Sequence, residues 1–182
     1  MLKNSLRFLV FASLFLFAAF ADNAVVTAVR GTITKIDAAS KTIAVKTADG
    51  TEHTLHFVSS TAVHGAQATA TGATDAFHGL TEGSEVVAHY TVKGSEETAV
   101  EVDNVGKGGL HAVDGSVSKV SADGKTVVVK AADGTEQTFH VVGHDTTASA
   151  KQIGKAADTS AKYTVYYTEA AGKKVAHFFQ KL

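Results

Sequence analysis

The chain has 182 residues with 17 basic, 18 acidic and nine histidine side chains, and a formal net charge of −1. It has no cysteine, proline or tryptophan, which excludes disulfides, thiol catalysis, zinc–thiolate sites and iron–sulfur clusters. With no clearly basic face in prospect, nucleic acid is not an expected partner.

In chain order, the first element is a targeting segment. Lys3 and Arg7 precede an apolar run over residues 8–20, and Ala19-Phe20-Ala21 supplies the small-residue pattern read by signal peptidase. That run falls short of the ~20 residues a membrane-spanning helix needs. Residues 1–21 are therefore read as a cleaved signal peptide, with no membrane insertion afterwards and the mature chain in the periplasm or secreted. Without the two basic residues of the leader, the remainder carries 15 basic and 18 acidic side chains, a net −3. Residues 22–110 hold six basic and eleven acidic side chains (−5), and residues 111–182 hold nine and seven (+2). Such asymmetry suits two halves that pack together, or head-to-tail self-association.

The mature chain is an internal duplication. Residues 31–58, GTITKIDAASKTIAVKTADGTEHTLHFV, align without gaps to residues 115–142, GSVSKVSADGKTVVVKAADGTEQTFHVV, with 15 of 28 positions identical. Tyr90-Thr91-Val92 and Tyr163-Thr164-Val165 give a second match, at an offset of 73 rather than 84. This places an eleven-residue insertion in the first copy, within the Ala/Thr/Gly-rich stretch 61–76, read as a surface loop. The domain boundaries are 22–106 and 110–182, joined by the short connector at Gly106–Gly109.

Each copy reads as five strands. Alternation and β-branched runs predict strands at 25–37, 42–47, 51–58, 84–93 and 97–105. The second copy repeats them at 111–120, 126–131, 135–142, 160–168 and 173–181, and residues 147–157 are read as one short helix. Asp49-Gly50 and Asp133-Gly134 mark tight hairpins. Three strands, a connector and two strands is the order of the OB barrel, with an SH3-like barrel as the alternative. Gly31 and Gly115 would be the bend at which the long first strand pairs on both sides. The fold class is thus all-β, two tandem five-stranded small barrels.

The recurring blocks Gly-x-[Ile/Val]-x-Lys-[Ile/Val], Lys-Thr-[Ile/Val]-x-Val-Lys and Ala-Asp-Gly-Thr-Glu resemble the small β-barrel domains, often in tandem, of exported bacterial proteins classed as a domain of unknown function. Gly79-Leu80 and Gly83-Ser84-Glu85-Val86 match the approach to their fourth strand, which the second copy lacks. The resemblance implies a bacterial, extracytoplasmic barrel and brings no activity. The chain is less closely similar to periplasmic copper-carrying OB domains. Those bind Cu(I) through methionine sulfurs, a histidine and a tryptophan, and here the only methionine is the initiator.

Histidine is the unusual enrichment, and imidazole is the commonest side-chain ligand for Zn, Cu and Ni. His56 and His140 occupy equivalent positions in the two copies, with His53 and His144 nearby. These four are the candidate metal ligands. His53 and His56, three apart on a strand, should face opposite sides, and His56 and His140 fit equally well in a cross-strand polar ladder. The recurring Asp49, Asp133, Glu52 and Glu136 are explained by turns, and no nucleophile elbow or phosphate loop is present. Of Tyr163, Tyr166, Tyr167, Phe178 and Phe179, adjacent pairs should split between a barrel core and a contact between domains. The sequence thus reads as an exported non-enzymatic tandem barrel, a binding or structural module without a cofactor, its partner an unknown macromolecule or a second copy. A histidine-based divalent-metal protein is the alternative.

Overall fold

A computed structural model describes residues 26–65, 77, 79–106, 108–156 and 161–182. The leader and most of the 61–76 stretch lie outside the described residues.

The first repeat consists of β1 (Val26–Asp37), β2 (Thr42–Thr47), β3 (Glu52–His56), β4 (Ala62–His64), β5 (Glu85–Lys93) and β6 (Glu96–Asn104). The second consists of β7 (His111–Val120), β8 (Thr126–Ala131), β9 (Glu136–Val141), the helix α1 (His144–Lys155), β10 (Lys162–Ala170) and β11 (Lys173–Lys181). In the second repeat β7–β8–β9–β11–β10 closes into a barrel. Its β9–β11 contact is parallel and its others antiparallel. The first repeat makes the same set of pairings, closed by a parallel β3–β6 contact, with β4 added beside β6. Strand order 1-2-3-5-4 with one parallel seam is OB topology, as expected.

Turn chemistry accounts for the hairpins. Asp49 Oδ1 accepts from the Thr51 backbone N–H at 3.0 Å, and Asp133 Oδ1 accepts from that of Thr135 at 2.9 Å, while Gly50 and Gly134 take positive φ. Gly31 pairs with both Thr47 of β2 and Val86 of β5, and Gly115 pairs with both Ala131 and Tyr163. A Cβ at either glycine would lie 2.5 Å from the backbone oxygen of Lys46 or Lys130. The bulge between Ile33 and Lys35 recurs between Val117 and Lys119, 84 residues on.

Pairing corrects the alignment of the last two strands. Val86 faces Gly31 and Tyr163 faces Gly115, so these are the equivalent residues, at an offset of 163 − 86 = 77. Tyr90 therefore corresponds to Tyr167, and both lie in or against their barrel cores. The Tyr-Thr-Val match at offset 73 is a coincidence of strand composition, which period-two patterning cannot distinguish from true register. The excess in the first copy is seven residues, not eleven. It is not loop throughout, because Ala62–His64 pairs with Glu101–Asp103.

Each barrel has its own core. Ile33, Ile43, Val45, Leu55, Val86 and Val102 anchor the first, and Val127, Val129, Phe139 and Val165 the second. A third, smaller cluster of Val87, Leu110 and Tyr166, flanked by Val105 and Phe178, joins them. The aromatic split follows: Tyr163 and Phe179 are buried in the barrel with Tyr167 against them, while Tyr166 and Phe178 belong to the inter-repeat cluster. The connector is a tight turn in which the Leu110 N–H donates to Asn104 O at 2.7 Å and the Gly106 N–H to Leu110 O at 2.9 Å.

Candidate metal centre between the two barrels

The outer face of the β5–β6 hairpin explains how the repeats meet. Ala88 and Val102 are cross-strand partners and point into the core, so their neighbours Val87, His89, Glu101 and Asp103 point outward. His89 stands opposite Glu101, and Val87 opposite Asp103. The outer face of the β10–β11 hairpin covers this surface. By the offset of 77, Tyr166, Phe178 and Gln180 stand there where the first copy has His89, Glu101 and Asp103.

Polar side chains converge at this seam. His64 is carried in by β4, and its Nδ1 lies 2.9 Å from Asp103 Oδ1 and 3.1 Å from Glu101 Oε1. The ligand atoms of His64, Glu101 and Asp103 all lie within 4.8 Å of one another. His177 enters from the second repeat, with Nδ1 3.6 Å from Asp103 Oδ2 and 3.7 Å from Glu101 Oε1. It sits where the β10–β11 register shifts between Tyr166 and Tyr167, and such a bulge re-aims one side chain. Its Nε2 is 3.0 Å from Thr168 Oγ1, which orients the ring, and Thr146 Oγ1 donates to the His177 carbonyl at 2.8 Å. Beside this group, His89 Nδ1 is 2.6 Å from Asp145 Oδ2 at the start of α1.

Charge and burial are poorly balanced here. The Asp103 side chain is 1% exposed, and its Oδ2 has no hydrogen-bond partner among the described residues. His89 Nε2 is buried and unpartnered in the same way. His177 pulls the Glu101 carboxyl down to about 2 against the effect of burial, with His89 and His64 assisting. Burial and the neighbouring Glu101 push the Asp103 carboxyl up. Burial disfavours charge on His89, but Asp145, Glu101 and Asp103 outweigh it and raise that imidazole above its ordinary value. Burial likewise opposes charge on Asp145, yet His89 and two backbone N–H groups leave its carboxyl below the usual range.

The four histidines singled out from sequence lie elsewhere. His53 bonds Glu97 Oε1 through Nδ1 at 2.8 Å and tilts against Tyr90, with ring centroids 5.4 Å apart. His56 lies on the opposite face of β3, paired with Thr42 and Thr98. His140 is exposed on β9, and His144 is exposed at the first turn of α1. None of the four belongs to the His64–Glu101–Asp103 group, the group of three or more such ligands found among the described residues. The repeat comparison pointed to positions the copies share, whereas the converging residues sit where the copies differ. The signal available in sequence was Glu101-x-Asp103, two carboxylates two apart and therefore on one face of a strand.

The fold and seam define a tandem OB-type β-barrel protein with a histidine–carboxylate cluster between its barrels. No protein-family model and no curated protein matches the chain. Among solved structures the chain is similar to the crystal structure of Ag(I)CusF, at 14% identity and a TM-score of 0.32, covering 44% of this chain and 97% of that one. Among the described residues, no helix is long and apolar enough to cross a membrane.

Proposed function

We propose that this protein is an exported, non-enzymatic tandem β-barrel that binds a divalent transition-metal cation. The ligands are His64, Glu101, Asp103 and His177. The observation that carries the reading is the Asp103 carboxylate, almost fully buried, with one oxygen unpartnered among the described residues and an imidazole nitrogen of the other repeat facing it. A buried charge is tolerated when it is paired or coordinates a metal.

The spacing supports the same reading. Metal–nitrogen and metal–oxygen bonds of about 2.1 Å put adjacent ligand atoms of a tetrahedron roughly 3.4 Å apart. The nitrogen–oxygen distances run from 2.9 to 3.7 Å, with His64 facing Asp103 Oδ1 and His177 facing Oδ2. His64, Glu101 and Asp103 have ligand atoms all within 4.8 Å of one another, and His177 borders that group and closes on the cation as it binds. Thr168 on the far nitrogen of His177 is the kind of outer partner that fixes a ligating imidazole. The donor set is nitrogen and oxygen only, which favours Zn²⁺, Ni²⁺, Co²⁺ or Cu²⁺ over soft monovalent ions. His64, 57% exposed, gives a cation its path from solvent.

Calorimetric titration of the chain from residue 22 onward, which holds every described element, tests this. Saturable Zn²⁺ or Ni²⁺ binding near one equivalent is expected, weakened in Asp103→Asn by at least the roughly 10–100-fold that loss of an outer-shell partner alone brings. The double variant His56→Ala/His140→Ala should titrate as wild type. Binding no tighter than about a millimolar would overturn the reading.

A further inference from the structure

We infer that the cation site is complete only when the two barrels are docked, so that metal occupancy and inter-repeat docking form one equilibrium. This rests on the metal reading above. His64, Glu101 and Asp103 belong to the first repeat, and the fourth ligand, His177, to the second. Asp145, which holds the His89 ring beside Glu101, also comes from the second repeat. Separating the barrels would remove one ligand and one orienting carboxylate together.

Beyond the polar group, α1 of the second repeat lies along β1 of the first, and the buried apolar part of the seam is small. Three buried side chains, Val87, Leu110 and Tyr166, form its apolar centre. Arg30 of β1 lies 5.3 Å from the Tyr166 ring centroid, bonds Gln180 Oε1 through Nη1 at 3.2 Å, and is paired with Glu85. An inter-domain contact without a large apolar area leaves domains able to move relative to one another. In the metal-free protein the docked state must also bury Asp103 beside Glu101, two carboxylates on one strand face. A cation neutralises that pair and bonds to both repeats, which favours the docked arrangement by its differential affinity.

The test separates docking from ligation. Tyr166 bonds or stacks with Arg30, Phe178 and Gln180, none of them a ligand, so Tyr166→Ala loosens the seam without deleting a ligand. If only the docked fraction binds, apparent Zn²⁺ affinity falls by that fraction, about tenfold or more. Tyr166→Phe should keep wild-type affinity. Hydrogen exchange on the wild type should show Zn²⁺ slowing amides in the 105–110 connector and β11 together. Unchanged affinity in Tyr166→Ala, with wild-type Zn²⁺ binding intact, would overturn the coupling but leave the metal site standing. A wild type that binds no Zn²⁺, Ni²⁺, Co²⁺ or Cu²⁺ would remove the site itself. Should Tyr166→Ala fail to fold, the partly exposed Arg30→Ala decides: a several-fold loss supports the coupling, and no loss overturns it.

Discussion

At the scale of single residues, His89 and Asp145 are the most informative pair, because they join the repeats through two titratable groups 2.6 Å apart. The raised His89 imidazole stabilises the fold fully below its ordinary value of 6.5, and that contribution is lost as pH rises through the folded value. The lowered Asp145 and Glu101 carboxyls act at the other end. Their contributions are present above their ordinary values of 3.8 and 4.5 and are lost as pH falls through the folded ones. The raised Asp103 carboxyl acts the opposite way and loses its contribution as pH rises above its ordinary value of 3.8. The metal-free chain should therefore lose stability both as pH falls below about 3.8 and, through His89, as it rises above about 6.5. His89→Gln should flatten the decline on the alkaline side. Thermal unfolding in chelator across pH 3–9 measures this, and an alkaline limb identical in the variant would rule out His89 as its source.

At the scale of elements, the long first strand of each repeat depends on a glycine that leaves room for a close crossing. A glycine inside a strand ordinarily lowers stability by roughly 0.5–1 kcal/mol relative to alanine. Here alanine at position 31 would meet Lys46 O at 2.5 Å and a Val45 methyl at 2.7 Å, in backbone and packed core that cannot yield cheaply. Overpacking of that kind costs about 1–3 kcal/mol, so Gly31→Ala should destabilise by about 1–2 kcal/mol despite the better strand former. Urea unfolding reads the change, and a neutral or stabilising result would mean that the strands separate freely at the crossing. The same element shows how far local pattern reaches. The succession of strands along the chain, the Asp-Gly hairpins and the crossing glycines were legible because each depends on neighbours in sequence. The offset between the copies in β5–β6 and β10–β11 was not. A strand has period two, and only the partner strand reveals which of several similar registers is used.

At the scale of the whole molecule, a bound cation should act as a ligand of the folded state only. With free metal at a hundredfold excess over Kd, linkage adds about 2.7 kcal/mol. For a chain of this size that shifts Tm upward by about 5–11 °C. Scanning calorimetry with Zn²⁺ and with chelator gives the difference, which should vanish in His177→Ala. A shift that persists in that variant would place the cation within the first repeat alone.

The amino-acid sequence by itself determined two tandem five-stranded barrels, their turns and their crossing glycines, because hydrophobic alternation and turn chemistry act over a few residues. It also supplied the nine histidines and the Glu101-x-Asp103 pair as raw chemistry. Which of them meet was decided by tertiary structure alone. His64 and His177 lie 113 positions apart (177 − 64) and in different repeats, and they converge because the outer faces of two hairpins dock. In the second copy that face carries Tyr166, Phe178 and Gln180, so the two repeats do not share this cluster. Burial of Asp103 without a partner for one oxygen is a property of the assembled seam, and no local pattern encodes it.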